Sequence, residues 1–421
     1  MKPMWSSVCL IATLTVCPAA AQLEVLQKKS CNLSGDLRGV TGHVLMRYHV
    51  NLEGKVNFVE PVFSRVTPGE KKQALEDHLK TCLGQWTYRV SEKSNWGHAY
   101  LELLLAFHYF TPAATPGATT HLPDGRVVPR SHLEEMRTMK LELADQLIKG
   151  PNFVEENGGA WLLKTNVKRA DRAGMADAIR AAQASFNQVF PTAPVDPNGP
   201  PVIVLLFGSQ DQFNTISAFD NLYARPRLGG QYNPEERIAY TFATGEEAPL
   251  KISHDYLRHE VTHHFVWQRL CGEIRDAPHW VEEGVASFIE LLRPARGGTI
   301  DRFRFQRGRQ AEGSFNWTAR SELYLDAFER GVRNGSLPDI DTFLRGGTLT
   351  MDVDLGYGLS WILVHYLING EDGALYPAFL AWMLGPMGTS QDAGLAAAIG
   401  RKTEQILPAL KEHARLMRQR G

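Results

Sequence analysis

Two histidines four positions apart are the residues of this sequence with the clearest chemical potential. His259 and His263 lie in the run His259-Glu260-Val261-Thr262-His263-His264. Side chains four positions apart project from the same face of a helix, so both imidazoles can bind one metal ion, with the carboxylate of Glu260 beside it. The spacing therefore predicts a site for one zinc ion per chain and a base close to it.

A third protein ligand is expected, because a catalytic zinc ion keeps three protein ligands and one open position for water. Glu283 supplies a carboxylate in a second segment of helical character, Trp280 to Ala286. Two helices packed side by side can bring this carboxylate to the histidine pair.

Together the two segments resemble the gluzincin metallopeptidases, whose second helix carries the pattern Trp-x-x-Glu-Gly-x-Ala. The matching run here is Trp280-Val281-Glu282-Glu283-Gly284-Val285-Ala286. The resemblance covers about residues 155 to 420, whose layout is also similar to peptidase-like domains of exported bacterial proteins. It implies that His259, His263 and Glu283 are zinc ligands and that Glu260 is the catalytic glutamate. Glu282 precedes the ligand position of the family pattern, so it is interpreted as a charge at the start of the helix and not as a ligand. The alternative is a pair of helices that binds no metal.

A tyrosine is a further catalytic candidate. Gluzincin aminopeptidases carry a tyrosine at the head of a helix, where it hydrogen-bonds the tetrahedral intermediate, and Tyr357 occupies a similar place before a run with helical periodicity. A packed aromatic side chain is the alternative interpretation, and Tyr324 is a second candidate for the role. The sequence contains no Gly-x-Met-Glu-Asn stretch, with which those aminopeptidases bind the free amine of the substrate. Aminopeptidase specificity is therefore disfavoured, and the choice between endopeptidase and exopeptidase stays open.

Two polar residues beside these motifs have weaker claims. His264 follows a ligand by one position, so it is rotated about 100° from the metal face of a helix, and we expect a structural histidine. Ser287, four positions after Glu283, is a candidate for orienting a ligand through a hydrogen bond.

The order of the predicted strands and helices that position these residues indicates an α+β fold. A small domain has the order strand, strand, helix, strand, with the first strand half-buried because Val44, Met46, Tyr48 and Val50 alternate with other residues. A linker follows, and then a zincin-like domain with a small mixed sheet and a largely helical carboxy-terminal part. The segments expected in that domain are a helix at 131–148, a strand at 161–166, a helix at 170–190, strands at 201–207 and 237–242, and helices beyond.

The small domain, at about residues 31 to 110, resembles the carboxy-terminal domain of TonB-like proteins. The matching residues are Gly42 to Val44, Asn51 to Gly54 and Gln85-Trp86-Thr87-Tyr88. No proline follows the aromatic pair, and we expect neither the membrane anchor nor the spacer of that family. The resemblance therefore implies an interaction module that docks to an envelope protein, and not energy transduction. The alternative is an α/β domain that shares only the pattern.

The amino terminus predicts export. Lys2 supplies a positive charge, an apolar run extends from Met4 to Val16, and Ala19-Ala20-Ala21 forms a small-residue cleavage site. The run is too short to span a bilayer. The predicted organisation is a signal peptide at 1–21, the TonB-like domain at 22–110, a linker rich in Pro, Gly and Thr at 111–130, and the metallopeptidase domain at 131–421.

Export also permits a disulfide. Of the five cysteines, Cys9 and Cys17 leave with the predicted signal peptide, so Cys31, Cys82 and Cys271 remain. Cys31 and Cys82 lie in one candidate domain, and we predict that they pair with each other.

The charge balance excludes one class of partner. The 421 residues include 45 Lys and Arg against 46 Asp and Glu, a net charge of -1, which gives no basic footprint for nucleic acid.

We expect a periplasmic or extracellular zinc-dependent peptidase without a membrane span. It would hydrolyse the peptide bonds of a peptide or protein through activated water, with Glu260 as general base. The alternative is a non-catalytic envelope binding protein that combines a degenerate metallopeptidase fold with the TonB-like domain. A third hypothesis makes the zinc site structural.

Overall fold

The computed structural model describes most of the chain outside the amino terminus and several loops. The described residues are 23–27, 31–90, 100–109, 119–121, 127–129, 133–168, 172, 174–219, 229–243, 250–271, 278–292, 305–306, 315–316, 319–345, 352–384 and 391–420. The predicted signal peptide and most of the predicted linker lie outside these ranges. Within them, no helix combines the length and the apolar character needed to cross a membrane.

Helices and strands are both present, and the predicted α+β class is confirmed. The strands are β1 Leu23–Gln27, β2 Thr41–Asn51, β3 Val56–Thr67, β4 Thr87–Val90, β5 Tyr100–Tyr109, β6 Thr119–His121, β7 Val127–Pro129, β8 Val154–Asn157, β9 Trp161–Thr165, β10 Val202–Phe207, β11 Gly230–Asn233, β12 Ile238–Phe242, β13 Phe305–Gln306 and β14 Phe315–Asn316.

The α-helices dominate the later part of the chain. They are α1 Lys72–Leu83, α2 Leu133–Ile148, α3 Met175–Val189, α4 Gln210–Phe219, α5 Leu250–Val266, α6 His279–Leu291, α7 Ala319–Asn334, α8 Ile340–Leu344, α9 Val353–Asn369, α10 Tyr376–Leu384, α11 Gln391–Ala398 and α12 Thr403–Arg420. A π-helical turn, Trp267–Cys271, continues α5.

The chain forms two compact units, each made of two stretches. The first unit comprises Met1–Pro151 and Phe207–Glu236, and the second comprises Asn152–Leu206 and Arg237–Gly421. This division differs from the boundary predicted at residue 131, because α2 belongs to the first unit. There Lys140 forms a fully buried ion pair with Glu236, and the backbone carbonyl of Leu147 accepts a 2.6 Å hydrogen bond from Gln212 Nε2.

An antiparallel sheet with the strand order β3-β2-β5 forms the centre of the first unit. Helix α1 packs against β3, and the buried side chains of Leu75 and Leu79 join the core beside the sheet. The predicted pairing of Cys31 with Cys82 is confirmed, since the structure contains this disulfide. It links the end of α1 to the segment that precedes β2.

Strand β2 departs from the predicted half-buried pattern. Its alternating residues Val44 and Met46 are buried, but so are His43 and Leu45 on the opposite face. Helix α4 covers this second face: His108 Nε2 donates to the carbonyl oxygen of Phe219 at 3.0 Å, and the His43 ring stacks on the Phe219 ring. The prediction was wrong because α4 enters from a distant part of the sequence.

The predicted linker also contains regular structure. Strands β6 and β7 pair antiparallel, with Thr119 opposite Pro129 and His121 opposite Val127. These two stretches of the predicted linker are therefore paired strands, and its other residues lie outside the part of the chain that the structure describes.

In the second unit, strands β12, β10, β9 and β8 are hydrogen-bonded in this order. Strand β10 has the sequence Val-Ile-Val-Leu-Leu-Phe and is buried at every position, as expected for a central strand covered on both faces. It runs parallel to β9, whereas β8 is antiparallel to β9, so the sheet is mixed as predicted.

Helices pack against this sheet and against each other in the second unit. Helix α5 contacts β12 and α3, α6 lies between α5 and α9, and α9 also packs against α7. The two predicted ligand segments therefore lie on adjacent helices, α5 and α6.

The disulfide is expected to stabilise the first unit strongly, because it closes a loop over a sequence separation of 51. Replacing both Cys31 and Cys82 with Ser should lower the free energy of unfolding of this unit by about 4 kcal/mol. Native-state hydrogen exchange of the β2 amides measures the loss, and the amides of β10 in the second unit serve as the internal control. Unchanged exchange in β2 would contradict the prediction.

Candidate metal centre

Helix α5 carries three of the predicted site residues into the protein interior. His259 is 3% exposed and Glu260 is 6% exposed, and one turn later the side chain of His263 is 12% exposed. Leu257, Val261 and Phe265 anchor the helix, since all are buried. The two imidazole rings lie with their centroids 4.8 Å apart in an edge-to-face arrangement. The predicted helical face with two histidines is therefore present.

Glu283 on helix α6 meets this histidine pair. Its Oε2 atom lies 3.1 Å from His259 Nε2 and 3.7 Å from His263 Nε2. One ligand atom from each of the three residues falls within 4.8 Å of the others. The structure thus brings together the three residues predicted as ligands.

The spacing of Glu283 Oε2 from the two imidazole nitrogens suits a tetrahedral ion. Nitrogen and oxygen ligands lie about 2.1 Å from zinc, so two such ligands on a tetrahedral ion are about 3.4 Å apart. The separations of 3.1 and 3.7 Å between Glu283 and the two imidazoles bracket this value. Two imidazoles and one carboxylate also form a donor set that is common at catalytic zinc. The residues present therefore fit such an ion.

Arg258 fixes the relative position of the two ligand helices. It precedes His259 on α5 and is 2% exposed. Its Nη2 atom donates to the carbonyl oxygen of Ile289 at 2.6 Å and to that of Leu292, both at the carboxy-terminal end of α6. A guanidinium at this end binds carbonyl oxygens of the last turn and complements the helix dipole. The backbone of α6 is thereby tied to the residue next to a candidate ligand.

A close helix contact fixes the other side of α6. A Cβ atom added to Gly284 would lie 2.6 Å from the carbonyl oxygen of Ser360 and 2.6 Å from Val364 Cγ2, both on α9. Glycine at this position therefore lets the two helices approach closely. Because Gly284 follows Glu283 directly, the contact also sets the position of the carboxylate.

Glu290 lies behind His259 and was not predicted. Its Oε2 atom is 3.0 Å from His259 Nδ1, and the residue is fully buried. A carboxylate that accepts a hydrogen bond from Nδ1–H leaves Nε2 as the ligand atom, and this is the usual outer support of a metal-bound histidine. Glu290 is two helical turns after Glu283, so the spacing was available in the sequence, but the contact with His259 was not.

Tyr357 and Tyr324 lie beside this network. The Tyr357 ring is 5.9 Å from the His259 ring, measured between centroids, and it stacks on Tyr324 at 6.2 Å. The Tyr324 hydroxyl donates to Glu290 Oε2 at 3.3 Å. Tyr357 is therefore the tyrosine placed next to the ligand cluster, whereas the Tyr324 hydroxyl is directed to the supporting carboxylate.

Two of the three candidate ligands, Glu283 and His263, are in protonation states that suit a cation. Burial would raise the pKa of Glu283, but the neighbouring imidazoles of His263 and His259 lower it to about 2, so the carboxylate stays ionised. Burial lowers the pKa of His263 to about 4, which keeps this imidazole neutral. Burial would also lower the pKa of His259, but hydrogen bonds to Glu283 and Glu290 outweigh it and raise the pKa to about 10. A proton on His259 Nε2 therefore takes the place that a metal cation would occupy.

Three other polar residues near the site, His264, Ser287 and Glu282, are not among the ligands that converge. His264 is fully buried, donates a hydrogen bond to the backbone carbonyl of Pro200, and stacks on Trp267, which agrees with the structural role expected for it. Ser287 Oγ has no hydrogen-bond partner among the described residues, so Glu290 and not Ser287 orients His259. For Glu282, burial and the charge of Glu283 raise the pKa to about 7.

No protein-family model matches this chain, and a search of curated proteins finds no match either.

The contact at Gly284 yields a stability prediction. Gly284→Ala forces α6 and α9 apart, and overpacking of this kind should lower the free energy of unfolding by about 1 to 3 kcal/mol and shift Glu283 away from the imidazoles. Thermal unfolding with and without added zinc measures both effects. The matched control is Gly356→Ala on α9, where the added Cβ meets nothing within 4 Å. That variant should match or exceed the wild-type melting temperature, because alanine favours the helix. Equal melting temperatures for the two variants would contradict the prediction.

Proposed function

We propose that this protein is an exported zinc-dependent peptidase whose catalytic site lies in the second unit. The observation that carries the proposal is the convergence of His259, His263 and Glu283 from two helices, with the carboxylate of Glu260 on the same helix as the histidines. The His259 imidazole, which contacts the carboxylates of both Glu283 and Glu290, is costly to bury, because each charged group in the interior needs a partner.

The three ligands would hold one zinc ion and leave a coordination position for water. When bound, zinc supplies Lewis acidity, which lowers the pKa of water toward about 7 and polarises a carbonyl group. Ionised Glu283 and neutral His263 are already in the protonation states that metal ligands require. His259 would exchange its Nε2 proton for the ion and keep its Nδ1 proton on Glu290.

Glu260 would act as the general base. It follows the ligand His259 directly on α5 and is 6% exposed, so little bulk water competes for its carboxylate. In the proposed reaction it accepts a proton from the attacking water and passes this proton to the nitrogen of the leaving amine. This assignment also favours a peptidase over a non-catalytic binding protein, since a protein that only binds its partner has no need of a base at this position.

Tyr357 would stabilise the charge that develops on the carbonyl oxygen of the scissile bond. Its ring lies against His259, and it is partly exposed, so it borders the ligand cluster on an accessible side. A hydroxyl that donates to the developing oxyanion contributes to catalysis because it is already in place when the charge forms. The Tyr324 hydroxyl serves Glu290, which favours Tyr357 for this role.

In the full proposal, the first unit is an interaction module that docks to an envelope protein, and the site acts on a peptide or protein in the periplasm or outside the cell. The Cys31–Cys82 disulfide supports this location, because such bonds persist in oxidising compartments.

The metal requirement can be tested directly. The purified wild-type protein should contain about one zinc ion per chain by elemental analysis, and its hydrolysis of casein or a peptide library should disappear with a chelator and return with added zinc. His259→Ala should lose both zinc and hydrolysis, because it removes a ligand. Full hydrolysis by this variant would contradict the proposal.

The roles of the base and the tyrosine can be separated from metal binding. Glu260→Gln should retain zinc and lose hydrolysis, because the amide cannot accept the proton. Tyr357→Phe should retain zinc and lower kcat by about a hundredfold, the typical effect of removing one oxyanion donor. Zinc content and steady-state rates on one cleaved peptide measure both. Wild-type rates in Glu260→Gln would rule out the proposed mechanism.

A further inference from the structure

One buried side chain touches both functional halves of the site. Tyr324, on helix α7, is 7% exposed. Its hydroxyl donates to Glu290 Oε2 at 3.3 Å, and its ring stacks on the ring of Tyr357 with an interplanar angle of 17°. Glu290 supports the candidate ligand His259, and Tyr357 is the proposed oxyanion donor. Tyr324 therefore contacts the support of a ligand through its hydroxyl and a catalytic candidate through its ring.

The hydroxyl contact bears on metal binding. Glu290 Oε2 receives hydrogen bonds from both His259 Nδ1 and the Tyr324 hydroxyl, at 3.0 and 3.3 Å. A fully buried carboxylate is held in one position only when its oxygens are well supplied with donors. Removing the hydroxyl leaves Glu290 with weaker support, so the carboxylate holds the His259 ring less firmly. Outer partners of this kind affect the affinity of the metal that the histidine binds.

The ring contact bears on the position of Tyr357. The Tyr357 ring contacts two other rings, that of His259 at a centroid distance of 5.9 Å and that of Tyr324 at 6.2 Å. The backbones of α9 and α7 are close at this point, since a Cβ added to Gly358 would lie 2.5 Å from the Tyr324 carbonyl oxygen. These two contacts limit the rotation of the Tyr357 side chain. A catalytic hydroxyl is most effective when its position is fixed before the reaction.

We propose that Tyr324 is a positioning residue that couples the two halves of the site, holding Glu290 through its hydroxyl and Tyr357 through its ring. The inference rests on the proposed function, since it assigns Tyr324 to the support of a zinc ligand and of an oxyanion donor. Neither role requires Tyr324 to touch the substrate.

The hydroxyl contribution is tested with Tyr324→Phe, which keeps the ring and its stacking. The dissociation constant for zinc should rise about tenfold, measured in the full chain by competition with a zinc-binding dye. The kcat of the zinc-saturated variant should stay within about twofold of the wild type on the peptide that the wild type cleaves fastest. Wild-type zinc affinity in this variant would overturn the hydroxyl half of the proposal.

The ring contribution is tested with Tyr324→Leu, which removes both contacts. It should show the same loss of zinc affinity as Tyr324→Phe. When saturated with zinc, its kcat should be between about tenfold and about a hundredfold below that of Tyr324→Phe, with an unchanged KM. A kcat equal to that of Tyr324→Phe would overturn the ring half. If the leucine variant does not fold, Tyr324→Met fills more of the space and gives the same comparison.

The matched control is Phe328→Leu, which removes another buried ring one turn later on α7. It should lower the melting temperature while the zinc affinity and kcat of the folded protein stay at wild-type values. If Phe328→Leu alters zinc affinity and kcat as Tyr324→Leu does, the effect is a general loosening of α7 and the proposal is wrong.

A wild-type protein that takes up no zinc contradicts the proposed function itself. A wild type that binds zinc, with Tyr324 variants that match it, contradicts only this inference.

Discussion

Burial of charge is the constraint on which the second unit depends. Glu283 is ionised, Glu290 and Arg258 are buried, and each of these groups needs a partner of suitable polarity because water is largely excluded. His259 meets this need for both carboxylates at once, with one ring nitrogen directed to each. Arg258 meets it through carbonyl oxygens at the end of α6. The polar network therefore specifies how α5 and α6 must lie against each other, beyond what apolar packing alone requires.

Glycine then allows the remaining helices to close around this network. Gly284 lets α9 approach α6, and Gly358 lets α7 approach α9, in both cases because a larger residue would meet backbone atoms. The result is a chain of close contacts from α5 to α7. Side chains such as Tyr324 and Tyr357 can span these short distances, so residues far apart in the sequence share one site.

The sequence predicted the local parts of this arrangement and missed the parts that depend on distant contacts. The spacing of His259 and His263 is a property of one helix, and the three proposed ligands do converge. Glu290 was missed because nothing in its own helix shows that His259 faces it. The half-buried pattern expected for β2 was wrong for a related reason, since α4 covers its second face. Periodicity reports how a segment is buried only when its partners are known.

Because each unit is built from two separate stretches of the chain, proteolysis cannot easily separate the units. Because residues 207–236 return to the first unit after residues 152–206 have entered the second, the backbone passes from one unit to the other three times. A single proteolytic nick at any of these passages leaves the fragments joined through the rest of the fold. Release of either unit as an independent piece therefore needs more than one cut. During synthesis, a chain that has reached residue 206 still lacks α4 and the carboxylate of Glu236, which pairs with Lys140 in the first unit.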